Sequence, residues 1–361
     1  MVRLRDLIRG DGDDEPARKR PPASSEPARP PAAPSGPPPA PREHVRFPDA
    51  TGPRADGAAA PAPGAPAEDP EVVFASIHLV LGQLRDAVKG GGTLPVEDME
   101  DVVARVILAL ERGSELFWLA ANPAPPDTDY VAAHLASVGV LAIRIGADLG
   151  YDRGELADLG LAAFLFDIGL WQLPERVLAK GDSLTAEEQS LYHSHPRLSA
   201  DIVRRSGIQR EGFVEAVLEH HEREQGQGYP QGLPGSAIHP HAKIIGLMDT
   251  YTRLTAPRPP QPRLQPHEAI REIVRSKHES FPSALIKALL AEISVFPPRT
   301  MVKLNTGEVG RVVAVNRNHP LRPKVEVIVD SKGDRLHAPK LIDLSETPFL
   351  YITGPVAEAA R

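Results

Sequence analysis

Residues 160–171 read GLAAFLFDIGLW and place a single acid, Asp167, in an otherwise apolar stretch. A second apolar stretch, KIIGLMDTY at residues 243–251, contains Asp249 in the same way. A carboxylate buried among apolar side chains is costly unless it is paired, hydrogen-bonded or bound to a metal ion. Because neither aspartate has a Lys or Arg next to it, we expect a cation from elsewhere in the chain to compensate both.

Segments with helical periodicity surround these two stretches, from about Pro70 to Leu290. In the first segment, apolar residues recur with the i, i+3, i+4, i+7 spacing of one helix face. The glycine triplet at 90–92 predicts where that helix ends. The Pro-rich residues 122–129 break the pattern, and the longest interruption is the Gly- and Pro-rich loop at 224–240. The sequence thus predicts a mainly α fold.

The two ends of the chain follow other patterns. After residue 298, a β-branched run at 325–329 and turn signals at 305–307 and 331–333 predict a small C-terminal β-barrel-like module. Residues 1–70 are rich in Pro, Ala, Gly, Ser and charge. Such a segment cannot bury enough apolar surface to fold, so we expect a disordered N-terminal tail.

Composition excludes several classes of protein. A formal net charge of -7 and a pI near 6.0 are untypical of a general nucleic-acid binder. The chain has no Cys, which excludes disulfides, thiolate metal sites and Cys nucleophiles. Its N-terminus lacks the apolar segment of a signal peptide, and no uninterrupted apolar run reaches the ~18–20 residues of a membrane span. We therefore expect no transmembrane segment, no nucleic-acid partner and a cytoplasmic location.

Four histidines are candidate partners of the two aspartates: His134, His195, His220 and His221. Together they form a nitrogen and oxygen ligand set that suits Fe, Mn, Zn or Co better than Ca or Mg. On a regular helix His220 and His221 would point about 100° apart, so they converge on one ion only near a helix end. A hydrogen-bonded core without metal remains an alternative, because a single buried His or Asp is more often structural.

The order of these residues resembles that in the HD-GYP family of bacterial proteins. The matching segments are His134, FDIG at 166–169, His195-Pro196, HHEREQGQGYPQGL at 220–233, and Asp249. The resemblance is close over residues 128–290 and implies an HD-type helical bundle. It divides the chain into a tail at 1–70, a helical lead-in at 71–121, an HD-GYP domain at 128–296 and a β-domain at 298–353.

Members of this family hydrolyse cyclic di-GMP, a bacterial second messenger, with two or three metal ions, commonly iron or manganese. The resemblance implies that Asp167 is the catalytic residue and bridges two ions, one of them also bound by the histidines at 195, 220 and 221. It implies that the other ion is bound by His134, Asp249 and the histidine of the HD pair. A water molecule activated by the ions would attack the phosphorus.

The sequence departs from the family pattern at four positions. Phe166 replaces the HD histidine, Leu170 the following lysine, and Gln225 the aspartate of the loop, while Tyr130 replaces a glutamate of some relatives. One half of the site thus lacks a ligand, whereas the half with three histidines is complete. We therefore expect one divalent ion, Fe or Mn, rather than two. Arg253 stands at a position after Asp249 that often holds a small or acidic residue in the family. Its side chain could contact a phosphate or face solvent, and the sequence favours neither.

The functional prediction is an HD-GYP-type metal-dependent phosphodiesterase domain that acts in cyclic di-GMP signalling, with hydrolysis reduced or lost. The alternative is a non-catalytic module that binds cyclic di-GMP or a signalling protein such as a diguanylate cyclase. Hydrolysis of another phosphate ester is a third possibility. The predicted substrate or partner loop contains Arg223, Gly228, Tyr229 and Pro230.

Overall fold

The computed structural model describes residues 68–121, 128–180, 183–258, 261–276, 280–292, 300–314 and 322–356, together with residues 296, 316 and 319. The predicted disordered tail therefore lies outside the described residues, except for its end, where Pro70 begins the first helix.

As far as residue 292, the regular elements of the described chain are helices joined by turns and loops. They are α1 (Pro70–Gly90), α2 (Val96–Glu111), α3 (Leu116–Ala121), α4 (Tyr130–Asp148), α5 (Arg153–Leu165), α6 (Glu175–Leu178), α7 (Ala186–Tyr192), α8 (His195–Arg205), α9 (Phe213–Leu218), α10 (Pro240–Thr255), α11 (Pro266–Ser276) and α12 (Ser283–Glu292). Two short 3₁₀ turns, Ile168–Gln172 and Gly235–Ala237, lie among them.

Local sequence signals explain several helix ends. Gly91 follows α1 in the left-handed conformation, with φ of 69°, and ends the helix at the predicted glycine triplet. The side chain of Asp129 caps the first turn of α4, which carries His134. Asp152 opens a capping box at the start of α5, the helix that leads to Asp167.

Helix α4 lies at the centre of the bundle and packs against α1, α3, α5 and α10. Most of its residues are buried, because apolar side chains lie on every face of the helix. Among the described residues, α4 is the one helix whose length and composition would allow it to cross a membrane. However, 78% of its most apolar window is buried inside the protein, as is usual for the core helix of a bundle.

A close approach of two segments places Asp167 beside α8. Gly169, in the first 3₁₀ turn, donates its backbone N–H to Oγ of Ser199 at 2.8 Å. A Cβ atom at residue 169 would lie 2.5 Å from the carbonyl oxygen of His195, so a larger residue would force the two segments apart. The glycine therefore allows Asp167 to face the first residue of α8.

The C-terminal strands form one antiparallel sheet in the order β4-β3-β2-β1-β5. The strands are β1 (Met301–Leu304), β2 (Val309–Ala314), β3 (Lys324–Val329), β4 (Arg335–Asp343) and β5 (Ile352–Pro355). β1 to β4 form a meander, and β5 returns to pair with β1. The prediction of a mainly α fold with a small C-terminal β-module is confirmed.

Candidate metal centre

The six residues predicted as metal ligands lie in one buried cluster, and none of them is more than 8% exposed. They are His134, Asp167, His195, His220, His221 and Asp249. Helices α4, α8 and α10 supply one residue each, and the other three follow the ends of α5 and α9. Residues that lie far apart in the sequence are thus brought together by the packing of the bundle.

Three imidazoles and one carboxylate converge in what we call the three-histidine group: Asp167, His195, His220 and His221. Nε2 of His195 lies 3.1 Å from Nε2 of His221, 3.4 Å from Nε2 of His220 and 3.0 Å from Oδ1 of Asp167. The four candidate ligand atoms all lie within 4.8 Å of one another. Because α9 ends at Leu218, the two consecutive histidines lie in the turn beyond it, as predicted from their spacing.

Backbone carbonyl groups orient two of these imidazoles. Nδ1 of His195 lies 2.6 Å from the carbonyl oxygen of Tyr192, and Nδ1 of His220 lies 2.7 Å from that of Val217. Since a carbonyl oxygen only accepts hydrogen bonds, each Nδ1 carries the proton and each Nε2 presents a lone pair. Burial lowers the pKa of His195, and burial together with the neighbouring imidazoles lowers that of His221, which favours neutral rings.

Lone pairs that face one another in a buried site call for a cation between them. Oδ1 of Asp167 is buried, faces these nitrogens and has no hydrogen-bond partner. An unpartnered buried carboxylate oxygen is costly unless a bound ion takes up its charge. Imidazole nitrogen and carboxylate oxygen are also ligands that divalent transition ions prefer. The three-histidine group therefore fits such an ion.

A second set of side chains, which we call the arginine group, contains His134, Asp167, Asp249 and Arg253. Nε2 of His134 lies 2.8 Å from Oδ1 of Asp249 and 3.9 Å from Oδ2 of Asp167. Nε of Arg253 lies 2.5 Å from Oδ1 of Asp249, and its Nη2 lies 3.2 Å from Oδ2 of Asp167. Nη1 of Arg253 donates to the hydroxyl group of Tyr192.

Arg253 supplies part of the positive charge that was expected from elsewhere in the chain. It follows Asp249 by four residues on α10, so both side chains lie on the same face of the helix. Burial acts to raise the pKa of Asp249, but Arg253 and His134 outweigh it and hold that pKa well below its usual range. At Asp167 burial likewise acts to raise the pKa, and the guanidinium of Arg253 acts to lower it. The i, i+4 spacing was the signal in the sequence that identifies this pair.

Of the four residues that depart from the family pattern, Phe166 and Tyr130 lie against rings of the cluster. Phe166 is fully buried, and the centroid of its ring lies 4.8 Å from that of His220 and 5.8 Å from that of His134. Leu170 is buried as well. In contrast, Gln225 is exposed, and its side chain accepts a hydrogen bond from that of Gln227 at 3.0 Å.

A cavity of about 630 Å³ opens beside the arginine group. Its lining includes Tyr130, Leu170, Tyr192, His193, Arg253 and Arg258. The guanidinium of Arg258 lies 5.6 Å from the ring centroid of Tyr130, whose pKa is raised to about 12, chiefly by burial. The phenol therefore stays protonated at neutral pH. A cavity of this size, with two arginines in its wall, suits a small anionic ligand.

The Gly-Tyr-Pro segment folds back over the three-histidine group. The ring of Tyr229 stacks on those of His193 and His221, and its centroid lies 4.0 Å from the first and 4.5 Å from the second. The Tyr229–Pro230 peptide is cis. A Cβ atom at Gly228 would lie 2.4 Å from the carbonyl oxygen of His221, so this contact requires glycine. The segment therefore holds one face of the His221 ring.

Two charged residues, Glu222 and Arg223, fix the loop from inside. The buried carboxylate of Glu222 accepts hydrogen bonds from the backbone N–H groups of residues 231, 232 and 233, at 2.6, 3.1 and 2.9 Å. Arg223 donates to the carbonyl oxygens of His220 and Glu222, at 2.9 and 2.8 Å. The role of Glu222 could not be predicted from the sequence, because hydrogen bonds to backbone groups leave no pattern of side chains.

Comparison with known proteins agrees with this geometry. Residues 123–285 match the HD domain family, and residues 301–361 match a KOW domain associated with HD domains. The chain is 26% identical over 292 residues to the cyclic di-GMP phosphodiesterase PA4108 of Pseudomonas aeruginosa. That alignment covers 79% of this chain and 70% of the relative. It is 31% identical over 163 residues to the cyclic di-GMP phosphodiesterase response regulator RpfG of Xanthomonas campestris. This second alignment covers 44% of this chain and 42% of the relative.

A solved structure shares the fold. Bd1817, a HDG"Y"P protein from Bdellovibrio bacteriovorus, aligns with a TM-score of 0.52 and 20% identity, over 61% of this chain and 70% of that one. Residues 123–285 are therefore an HD domain, a family that implies a divalent metal ion, and the buried His and Asp groups of this chain could hold one. The relatives, which are cyclic di-GMP phosphodiesterases by name, and the Gly-Tyr-Pro segment support an HD-GYP family protein.

Proposed function

We propose that this chain binds cyclic di-GMP beside the three-histidine group and hydrolyses one of its phosphodiester bonds at a reduced rate. The observation that carries the proposal is the convergence of three imidazole nitrogens on the unpartnered Oδ1 of Asp167. The relatives PA4108 and RpfG, both cyclic di-GMP phosphodiesterases by name, support this choice of substrate.

One divalent ion, Fe or Mn, would be held by Asp167, His195, His220 and His221. When bound, such an ion supplies Lewis-acid chemistry that polarises a phosphodiester and activates water. The contribution of the chain is to keep the ligands in place: the carbonyl oxygens of residues 192 and 217 fix two imidazoles. Apolar side chains around the cluster exclude bulk water, which strengthens every charge interaction inside.

The substrate would lie in the cavity that borders the arginine group. Cyclic di-GMP carries a negative charge on each phosphodiester, and the guanidinium groups of Arg253 and Arg258 line this cavity. A planar guanidinium can donate two parallel hydrogen bonds to a phosphate. The loop with Gly228, Tyr229 and Pro230 lies against His221 and would bound the site on its other side.

The substitutions predict slow turnover. Leu170 lines the cavity at the place where the family pattern has a lysine, so a developing negative charge meets an apolar side chain there. Loss of one charge-stabilising group lowers an enzymatic rate by ~10²–10³-fold. Phe166 also removes a ligand of the other ion. We therefore expect turnover at least ~10²-fold slower than that of relatives with both residues intact.

A non-catalytic module is the second candidate, and the arginine group favours it. Arg253 already neutralises the two aspartates on that side of the cluster. The domain would then bind cyclic di-GMP without cleaving it, or dock a signalling protein such as a diguanylate cyclase. The loop that contains Arg223 and Tyr229 would be its contact surface.

Both candidates are tested on the full chain, reconstituted anaerobically with Mn(II) or Fe(II). Binding of cyclic di-GMP is measured by calorimetry and turnover by chromatography of the linear product. Slow turnover that Asp167→Asn abolishes and that Arg210→Ala leaves unchanged would support the enzyme, because Arg210 lies outside the cluster. Binding without turnover would support the non-catalytic module. Neither binding nor turnover would refute both, and cleavage of other phosphodiesters could then be examined.

A further inference from the structure

The guanidinium of Arg253 lies between two buried carboxylates. It donates to Oδ1 of Asp249 and to Oδ2 of Asp167, at 2.5 and 3.2 Å. Its remaining nitrogen donates to the hydroxyl group of Tyr192 at the end of α7. The side chain is 31% exposed and lines the cavity, so it joins the buried cluster to the space where a ligand would lie.

The same two carboxylate oxygens lie within a second group of side chains that could hold an ion. Both face Nε2 of His134, and His134, Asp167 and Asp249 are the second described group that could hold a metal ion. A transition ion takes carboxylate oxygen at about 2.0–2.2 Å, but here each of the two oxygens already accepts an N–H group. Because a guanidinium remains protonated, its charge would also repel an ion placed next to it.

Phe166 acts in the same direction as Arg253. Its ring lies between those of His134 and His220, with centroids 5.8 and 4.8 Å away. A histidine at this position would add a nitrogen ligand, whereas a benzyl group adds none. The second group therefore has one cation built into it and one ligand fewer, and both changes disfavour an ion.

We propose that the guanidinium of Arg253 takes the place of one ion of a two-ion site, so that the chain binds a single transition-metal ion. This inference rests on the proposed function for the ion in the three-histidine group. Arg253 offsets the charge of Asp249, and the bound ion offsets that of Asp167. Arg253 is thereby a positioning residue: it holds Oδ2 of Asp167 and leaves Oδ1 directed at the three imidazoles.

The number of ions per chain tests this directly. The full chain is stripped with a chelator, reloaded anaerobically with excess Mn(II), and freed of loose metal by gel filtration before elemental analysis. The proteins compared are the wild type, Phe166→His, the double variant Phe166→His with Arg253→Ala, and Arg210→Ala. Arg210 is the matched control, because it also pairs with two carboxylates, those of Asp158 and Glu100, but outside the cluster.

We expect one ion in the wild type, in Phe166→His and in Arg210→Ala, and two ions in the double variant. Two ions in the wild type or in Phe166→His would overturn the inference, because the guanidinium then fails to exclude the second ion. A double variant that folds by circular dichroism but keeps a single ion would overturn it as well. If the double variant does not fold, the counts for the wild type and Phe166→His still decide.

The wild-type count also separates this inference from the proposed function. A wild type without any ion contradicts the proposed ion in the three-histidine group, and the inference falls with it. A wild type with one ion leaves the proposed function standing, whatever the variants show.

Discussion

The three-histidine group and the arginine group share Asp167 but satisfy its two oxygens in different ways. Oδ1 faces imidazole nitrogens that carry lone pairs, and it has no hydrogen-bond partner. Oδ2 faces an N–H group of Arg253, which also pairs with Asp249. One carboxylate thus directs one oxygen at a site that needs an ion and the other at a side chain that replaces an ion.

A buried acid therefore needs positive charge nearby, but either an ion or a side chain can supply it. An ion can be removed by a chelator, whereas a guanidinium is covalently part of the chain and stays charged. On the proposed assignment the three-histidine group would depend on the supply of metal, whereas the arginine group would not. Variants and conditions that act on only one of the two groups test whether the groups are independent.

The largest expected effect is the loss of stability when the ion is removed. An ion present at ~1,000 times its dissociation constant stabilises the folded state by about 4 kcal/mol. We expect EDTA to lower the free energy of unfolding in urea by about this amount, and to speed amide exchange in the turn with His220 and His221 more than in α10. Equal stability with and without the chelator would contradict a tightly bound ion.

A pair of matched histidine variants separates the two groups. His195→Ala removes a predicted ligand and should weaken Mn(II) binding by more than ~100-fold, because even outer partners of a ligand contribute about 10–100-fold. His134→Ala removes a histidine of the arginine group and should weaken Mn(II) binding less than His195→Ala does. Competition titration with a metal-binding dye measures both. Equal losses in the two variants would show that the groups act as one site.

His241 lies outside both groups but also makes the stability of the protein depend on pH. Its effect has to be measured before the stability of the two groups in acid is compared. Burial lowers the pKa of His241 to about 4, from an ordinary value near 6.5. Because the folded value is the lower one, the unfolded chain binds the proton first as the pH falls. Neutral His241 therefore makes its full contribution to the free energy of unfolding above about pH 6.5, and this contribution is lost as the pH falls to about 4.

For this partly exposed side chain we expect a loss of about 2 kcal/mol across that range. His241→Gln should remove it, so that the free energy of unfolding in EDTA changes less between pH 7 and pH 4.5 than in the wild type. Identical pH profiles for the two proteins would contradict this assignment.

The smallest expected effect concerns Tyr229. Its ring stacks on His221, and such ring pairs contribute about 0.5–1.5 kcal/mol. Tyr229→Ala should therefore weaken Mn(II) binding by about two- to tenfold, while Tyr229→Phe should retain the wild-type affinity. A loss with Tyr229→Phe as large as that with Tyr229→Ala would assign the effect to the hydroxyl group and not to stacking.

Local features of the fold could be predicted from the sequence. The glycine triplet at 90–92, the apolar stretch that contains Asp167, and the change to β-branched residues after 298 each act through their immediate neighbours. The structure contains the corresponding helix end, buried acid and antiparallel sheet. The helix end before His220 and His221 was also expected, because two consecutive histidines can converge on one ion only near such an end.

The distances within the cluster could not be predicted in this way. The pairing of Arg253 with Asp167 joins residues 86 positions apart, and it depends on how α10 packs against the segment after α5. Sequence spacing places Arg253 and Asp249 on one helix face, but it does not show that this face is the one turned to the other acid. The assignment of ligands and of the loop residues remains a prediction for the experiments above.

Tyr192 links the two groups mechanically. Its carbonyl oxygen holds the ring of His195, and its hydroxyl group holds Arg253. It packs against the core as the last residue of α7, a seven-residue helix whose other side chains are exposed or only partly buried, and segments with few buried contacts open at a low free energy. Fraying of this short helix would therefore free the imidazole of His195 and the guanidinium of Arg253 at the same time. Both oxygens of Asp167 would then lose a neighbouring group in a single step.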